Sequence, residues 1–350
     1  MSYFRDNIEA LAGYVPGFQP TGADVVKLNT NESPYAPSPK VIEAIRNTAG
    51  EKLRRYPQPL GDDFRKAAGE VLGFSPDNIM CANGADDMLT IALRSFCDEG
   101  RGLAYPVPTY SLYPVLARIQ NCPVVEVAFG SDFDLPDGLA DAGAALVIVC
   151  NPNAPTGTFV EPDKLGELAA MLKRRSVLLI DEAYVDYAKA NCLGLVRDHD
   201  NVIILRSMSK GYSLAGMRFG YAVACESLIA GLTKVKDSYN VDAVAIAAAT
   251  AAIRDVDYFR TNIGKVKAQR TELIEALKDM RFVVAASETN FILAGCAECC
   301  AEEVHAKLAD RRIYVRYFNL PGLDDKLRIT VGTKEQNDKL VAALREIMRR

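Results

Sequence analysis

The strongest constraint on the fold of this 350-residue chain is the form of its apolar segments. They are short, nearly unbroken and regularly separated by stretches with helical periodicity. Ala145-Leu-Val-Ile-Val-Cys150 and Val177-Leu-Leu-Ile180 contain no polar residue at all. A strand with one wet face alternates apolar and polar residues, whereas a strand covered on both faces reads as a continuous apolar run. Further strands are predicted at Ile79–Ala82, Gly102–Tyr105, Val124–Phe129, Val202–Ser207 and Gly220–Ala224. Helices are predicted at Pro39–Glu51, Gly61–Leu72, Ala85–Phe96, Tyr110–Ile119 and Asp163–Arg174. Strands that alternate with helices imply an α/β fold with a mostly parallel central sheet.

The C-terminal part reads differently. A long charged helix over Ile263–Lys278 precedes strands at Phe282–Ala285, Phe291–Leu293, Tyr314–Arg316 and Leu327–Val331. Helices at Ala301–Arg311 and Lys334–Met348 complete a smaller α+β domain. The Pro- and Asn-rich stretch Leu28–Pro39 reads as an arm and loop. The expected organisation is therefore residues 1–40 as an arm that is partly built into the small domain, 41–250 as the large domain and 251–350 as the small domain. The longest apolar run, Ala243–Ile253, is far short of the ~20 residues needed to span a bilayer, and reads as a buried helix.

Charge narrows the function. Lys and Arg number 41 and Asp and Glu 45, giving a net charge of −4. That argues against a broad basic face for nucleic acid. The first residues carry Asp6 and Glu9 and no apolar core, unlike a signal peptide, and a cytoplasmic protein without membrane contact is expected. Nine scattered cysteines fit reduced thiols. Cys296, Cys299 and Cys300 cluster near His305, but no second pair lies at zinc-finger spacing, so no metal site is expected.

Five elements could carry chemistry. Ser207-Met-Ser209-Lys210 follows an apolar strand, with Arg218 eight residues on. A lysine at the mouth of a sheet can lose hydration, which lowers its pKa and favours Schiff-base formation. Two hydroxyls and an arginine beside it would hold a phosphate. Taken alone, a strand-end lysine is more often a solvated charge. Asp181-Glu-Ala-Tyr184 puts a carboxylate at the end of another apolar strand, where α/β proteins bind ligands. Such an aspartate can keep a pyridinium nitrogen protonated, although many merely cap a turn. Gly84-Ala85-Asp86 opens a helix whose free N–H groups can bind phosphate. Asn151-Pro-Asn153-Ala-Pro155-Thr-Gly157 and Pro106-Val-Pro-Thr-Tyr110 are a polar turn and an aromatic face at strand ends; ordinary turn chemistry explains the Gly, Asn and Pro equally well.

In this order and spacing the elements resemble the aspartate-aminotransferase-like fold (fold type I) of pyridoxal-phosphate enzymes, and within it the histidinol-phosphate aminotransferase family of class II aminotransferases. The resemblance runs along nearly the whole chain. It also rests on Leu28-Asn-Thr-Asn31-Glu-Ser-Pro-Tyr35, Arg55-Tyr56-Pro57, Ser287-Glu-Thr-Asn290-Phe-Ile292 and Leu327-Arg328-Ile-Thr-Val-Gly-Thr333.

The resemblance implies a homodimer that binds pyridoxal 5'-phosphate and transfers an amino group from L-histidinol phosphate to 2-oxoglutarate, in histidine biosynthesis. Lys210 then holds the cofactor covalently and moves the proton, Asp181 pairs with the ring nitrogen, and Tyr184 meets the ring hydroxyl. Tyr110 stacks on the ring. Gly84, Ala85, Asp86, Ser207, Ser209 and Arg218 cradle the cofactor phosphate, and Tyr56 reaches the phosphate of the neighbouring subunit. Arg328 takes the substrate carboxylate and Arg316 its distal phosphate; a surface strand charge is the plain alternative for Arg316. Tyr14, Asn31, Tyr239 and Asn290 line the substrate pocket. The family commonly has asparagine before Pro-Thr-Gly, where this chain has Ala154, so Asn153 or Asn151 is the expected substitute near the ring. An aromatic or other amino acid aminotransferase and a threonine-phosphate decarboxylase are the rival activities.

Overall fold

The structure is a computed structural model. It describes every residue except Met1, Val15, Ala23, Ser131, Asp132, Ala297, Glu298 and Arg350. Among the described residues thirteen strands form three sheets. In chain order they are β1 (Val26–Lys27), β2 (Ile79–Ala82), β3 (Leu103–Val107), β4 (Val124–Ala128), β5 (Leu146–Cys150), β6 (Val177–Asp181) and β7 (Val202–Ser207). There follow β8 (Gly220–Ala224), β9 (Phe282–Val284), β10 (Phe291–Cys296), β11 (Ile313–Tyr314), β12 (Arg316–Tyr317) and β13 (Lys326–Thr330).

The large sheet has the order β2-β8-β7-β6-β5-β3-β4, and all its neighbours are parallel except β8, which is antiparallel to both β2 and β7. Its central strands are buried on both sides, and alternate residues feed two cores. Val147, Val149, Leu178 and Ile180 pack into one, while Leu146, Ile148, Leu179 and Leu205 pack into the other. This is why the sequence shows unbroken apolar runs there. Strand β4 departs from that pattern. It lies at the sheet edge and leaves Val124 and Val125 exposed.

Register brings the chemistry to one edge. Cys150 pairs with Asp181, Asp181 with Leu205, and Ser207 with Gly220, which also pairs with Ala82. The segments that leave β2, β5, β6 and β7 therefore emerge side by side.

The second sheet, β12-β13-β10-β9, is antiparallel and has its own core. Val26 and Leu28 from the arm join that core, since β1 pairs with β11. The strand expected at Tyr314–Arg316 is thus two: β11 pairs with the arm and β12 with β13, with buried Val315 between them. The helix expected from Ile263 starts earlier and spans Val256–Asp279, because Asp255 closes the preceding helix Ala243–Arg254 and starts the next. Strand β1 and the helix Glu226–Thr233 have too short or too uniformly apolar a pattern to stand out in the sequence.

The expectation of reduced thiols fails at one place. Cys296 and Cys299 form a disulfide, with their Cα atoms 5.5 Å apart, within ordinary disulfide range. Cys300 is free and exposed. No described helix is long and apolar enough to cross a membrane, and no metal-binding group of His, Cys, Asp and Glu is present among the described residues.

Candidate active site

Asp181 is the last residue of β6 and is buried. The Tyr113 hydroxyl donates to its Oδ2 at 2.7 Å, and the Ala183 N–H donates to Oδ1 at 3.1 Å. Burial still pushes its pKa up to about 6, against the lowering by these two bonds. A carboxylate in this state gains most from a cationic partner.

Lys210 stands three residues beyond β7. Its Nζ donates to the Thr30 carbonyl at 3.3 Å and lies 5.6 Å from the centre of the Tyr184 ring. Burial, and next the Arg328 guanidinium, bring its pKa down to about 8. Near neutral pH a useful fraction of this amine is unprotonated, as a nucleophile or proton acceptor must be. Tyr184 is also buried and packs edge-on to Phe291, ring centres 5.1 Å apart. Its hydroxyl accepts from Asn31 Nδ2 at 3.0 Å, which leaves its own O–H proton to donate. Asn31 adopts φ 56° and is fixed on several sides. It receives Asn290 Nδ2 on its carbonyl at 3.0 Å and Thr330 Oγ1 on its Oδ1 at 3.1 Å.

Opposite lies an anion cradle. The helix Ala85–Phe96 begins at Gly84 with no side-chain cap, so its first N–H groups remain available. Gly84 has φ +86°, and a Cβ there would come 2.5 Å from Arg218 Nη2. At Gly220 a Cβ would meet the Ala85 nitrogen at 2.8 Å. Both glycines let backbone and guanidinium close on the same space. Arg218 reaches Ser209 Oγ and Asp86 Oδ2, each at 3.4 Å, long contacts that an anion can replace. Ser209 N–H donates to Ser207 Oγ at 3.1 Å. Tyr110 Oη donates to Asp86 Oδ1 at 3.3 Å, and the Tyr14 ring is 6.1 Å from the Tyr110 ring.

A second cationic region lies on the small sheet. Arg328 is on β13 and Arg316 faces it across the β12–β13 pair. Arg328 Nη2 donates to the Asn29 carbonyl at 2.9 Å, while its buried Nε has no partner. Asn29 Oδ1, Thr30 Oγ1 and Asn290 Oδ1 are likewise buried without partners. Neither arginine has an ion-pair partner among the described residues.

The class I and II aminotransferase family model matches residues 23–344. Histidinol-phosphate aminotransferase 1 of Trichormus variabilis is 48% identical over 350 residues, covering 99% of each chain. This chain belongs to the class I and II aminotransferases. Its fold is shared with the crystal structure of histidinol-phosphate aminotransferase from Sinorhizobium meliloti in complex with pyridoxal-5'-phosphate. That match has a TM-score of 0.90 and 27% identity, and covers 100% of this chain and 98% of the other. A Thermus thermophilus aspartate aminotransferase matches with TM-score 0.83 at 19% identity over 99% of this chain and 100% of the other, a likeness of fold.

Within this aminotransferase fold the residues picked from sequence fall into three sets. Lys210, Asp181, Tyr184, Tyr110, Gly84, Ala85, Asp86, Ser207, Ser209 and Arg218 converge at the edge of the large sheet. Asn31, Asn290, Arg316, Arg328 and Tyr14 border it from the arm and the small sheet. Tyr56 and Tyr239 stand apart as an exposed stacked pair, ring centres 4.5 Å apart.

Asn153 is held by the loops around it. Its Oδ1 accepts from Thr109 Oγ1, and its Nδ2 donates to the Pro108 carbonyl and Thr156 Oγ1. Asn151 is likewise bonded at both ends to the Val160 backbone. Both amides tie loops together. Tyr113 and Thr30 were not picked from sequence. Tyr113 lies in the first turn of the helix Leu112–Gln120, and its ring centre is 5.7 Å from that of Tyr110. The Thr30 contact is made by backbone, which no side-chain pattern reveals.

Proposed function

We propose that this aminotransferase transfers the amino group of L-histidinol phosphate to 2-oxoglutarate, giving imidazole-acetol phosphate and L-glutamate in histidine biosynthesis. The observation that carries the reading is the pair of arginines, Arg316 and Arg328, that face each other without ion-pair partners among the described residues, beside an amine of lowered pKa. The 48% identity to a histidinol-phosphate aminotransferase along the full chain supports the same substrate.

The residues present fit pyridoxal 5'-phosphate. The glycine-walled cradle suits its phosphate, the buried Asp181 suits a protonated ring nitrogen, and Lys210 suits covalent attachment. Bound there, the cofactor supplies the electron sink that makes the carbon bearing the amine acidic. Asp181 holds a proton at the ring nitrogen, for which its own burial makes a positive charge welcome. Tyr184 Oη, oriented by Asn31, donates to the ring hydroxyl. Tyr110 covers the ring face, and Arg218, Ser207, Ser209 and the Ala85 and Asp86 amides neutralise the phosphate. Lys210 Nζ would take the proton from the substrate carbon bearing the amine and deliver it to the cofactor carbon that keeps the nitrogen, and the Thr30 carbonyl orients the free amine. Arg328 offers a planar fork for an α-carboxylate, which a lysine could not. Arg316 reads the distal phosphate, and Tyr14, Asn31 and Asn290 close the pocket.

We further read the chain as a cytoplasmic homodimer of two-domain subunits, 1–40 being the arm, 41–250 the large domain and 251–350 the small one. The exposed Tyr56 and Tyr239 support a partner at that face, since a stacked aromatic pair is rarely left in water.

The test is a donor panel with 2-oxoglutarate, using histidinol phosphate, phenylalanine and threonine phosphate, with Lys210→Ala as the inactive reference. Histidinol phosphate should be the preferred donor, without release of CO₂. Arg316→Ala should lower kcat/KM for it by roughly 10- to 150-fold, the value of a charge-assisted hydrogen bond, and leave phenylalanine nearly unaffected. Equal losses on all donors, or CO₂ release from threonine phosphate as the faster reaction, overturn the reading.

A further inference from the structure

Arg316 and Arg328 are direct partners in the antiparallel β12–β13 pair. Like charges placed opposite each other on one sheet face repel, so the arrangement needs something to hold it. Two residues after Arg316, just beyond the end of β12, comes Phe318. The centre of its ring is 5.3 Å from the Arg316 guanidinium carbon and 5.4 Å from that of Arg328. Among the described residues it is the ring common to both. Arg328 has two other supports, the Phe291 ring at 5.4 Å and the Asn29 carbonyl at 2.9 Å. Among the described residues Arg316 makes no ion pair or hydrogen bond, so Phe318 is its main support.

We propose that Phe318 is a specificity-determining positioning residue, whose ring holds the two guanidiniums apart and aligned as separate subsites for a molecule with two anionic ends. This rests on the reading of Arg316 and Arg328 as substrate anion sites. The negative face of the ring attracts both cations and lowers their mutual repulsion without neutralising either. A carboxylate in the same place would pair with them and close the site to an anion. An aliphatic side chain would fill the space but leave the repulsion unopposed, so the less supported Arg316 would swing away. The distance between subsites is then a property of Phe318, and a dicarboxylate can bridge both arginines only while it is kept.

The experiment uses the holoenzyme and glutarate, a dicarboxylate with neither amino nor keto group, with binding measured by calorimetry. Phe318→Leu should weaken glutarate binding by about 5- to 30-fold, the size of two partly desolvated cation–ring contacts. Phe318→Tyr, which keeps the ring, should stay within about twofold of wild type. In turnover, Phe318→Leu should raise KM for 2-oxoglutarate and leave kcat and the cofactor absorbance nearly unchanged. A merely structural role would lower the melting temperature and kcat together. The proposal is overturned if Phe318→Leu binds glutarate as wild type does, if Phe318→Tyr loses as much as Phe318→Leu, or if wild type binds glutarate no better than acetate. Should the donor panel fail with histidinol phosphate, the proposed reaction falls, while the glutarate comparison still decides Phe318.

Discussion

Asp181 and Lys210 are both perturbed mainly by burial, with opposite consequences. The carboxylate is raised to about 6 and the amine is lowered to about 8. A raised carboxyl pKa means the folded state favours the neutral acid. Its contribution is full below about pH 4 and is lost as pH rises through about 6, so at neutral pH the cofactor-free protein bears the cost of a buried charge. Asp181→Asn keeps an acceptor for the Tyr113 hydroxyl and removes that charge. We expect the cofactor-free variant to be more stable than wild type at pH 7.5 by up to ~3 kcal/mol, with the difference vanishing below about pH 4. Urea unfolding at the two pH values measures this. The same variant should lose kcat by orders of magnitude, because an amide cannot keep the ring nitrogen protonated. A variant that is less stable at pH 7.5 and fully active contradicts the role of Asp181. The lowered amine has the reverse sign: its cost is present below about pH 8 and is relieved as pH rises toward 10.

At the scale of elements, the cradle depends on three pieces of backbone meeting: the start of the helix Ala85–Phe96, the loop after β7 and the start of β8. Gly84 is the hinge of this meeting. Its φ of +86° and ψ of 170° lie in a region essentially reserved for glycine. A Cβ would also strike Arg218 Nη2 at 2.5 Å. Gly84→Ala should therefore destabilise the fold by about 1–3 kcal/mol through backbone strain and push Arg218 out of the cradle. We expect cofactor affinity to fall by about tenfold or more, the value of one charge-assisted hydrogen bond. Equilibrium dialysis of the cofactor against each variant reads it directly. Unchanged affinity would mean that Arg218 and the helix start do not share the phosphate.

For the whole molecule, the site is assembled from distant parts of the chain. The Asn31 side chain meets Tyr184, and the Thr30 carbonyl meets Lys210, 180 positions away in sequence. The arm is thus part of the site as well as of the small-sheet core. Tyr56, 81% exposed, is the residue whose expected place, at the neighbouring subunit's phosphate, lies beyond a single chain. Mixed dimers of Tyr56→Phe and Lys210→Ala chains should contain one site with both defects and one with neither. Their activity should then be close to half of wild type per dimer, above that of either parent homodimer. Activity no greater than the parents' mean would remove Tyr56 from the partner's site.

Much of this was legible in the sequence because it depends on local chemistry. Unbroken apolar runs require two-sided burial, so β5, β6 and β7 stood out, and their ends marked Asp181 and Lys210. Gly84 and the uncapped helix start were readable as phosphate chemistry for the same reason. Local pattern could not decide what depends on register or on the turning of loops. The bonds of the Asn153 amide to Pro108, Thr109 and Thr156 follow from loop geometry. The Cys296–Cys299 bridge depends on the approach of two Cα atoms to 5.5 Å, which spacing in the sequence does not settle. Tyr113 reaches Asp181 from 68 positions away, and the Phe318 ring comes near both arginines because β12 and β13 pair in one register. Sequence determined which segments must be buried and which residues could do chemistry; tertiary structure decided which of them face one another, because burial is set by composition along the chain and contact by the geometry between its parts.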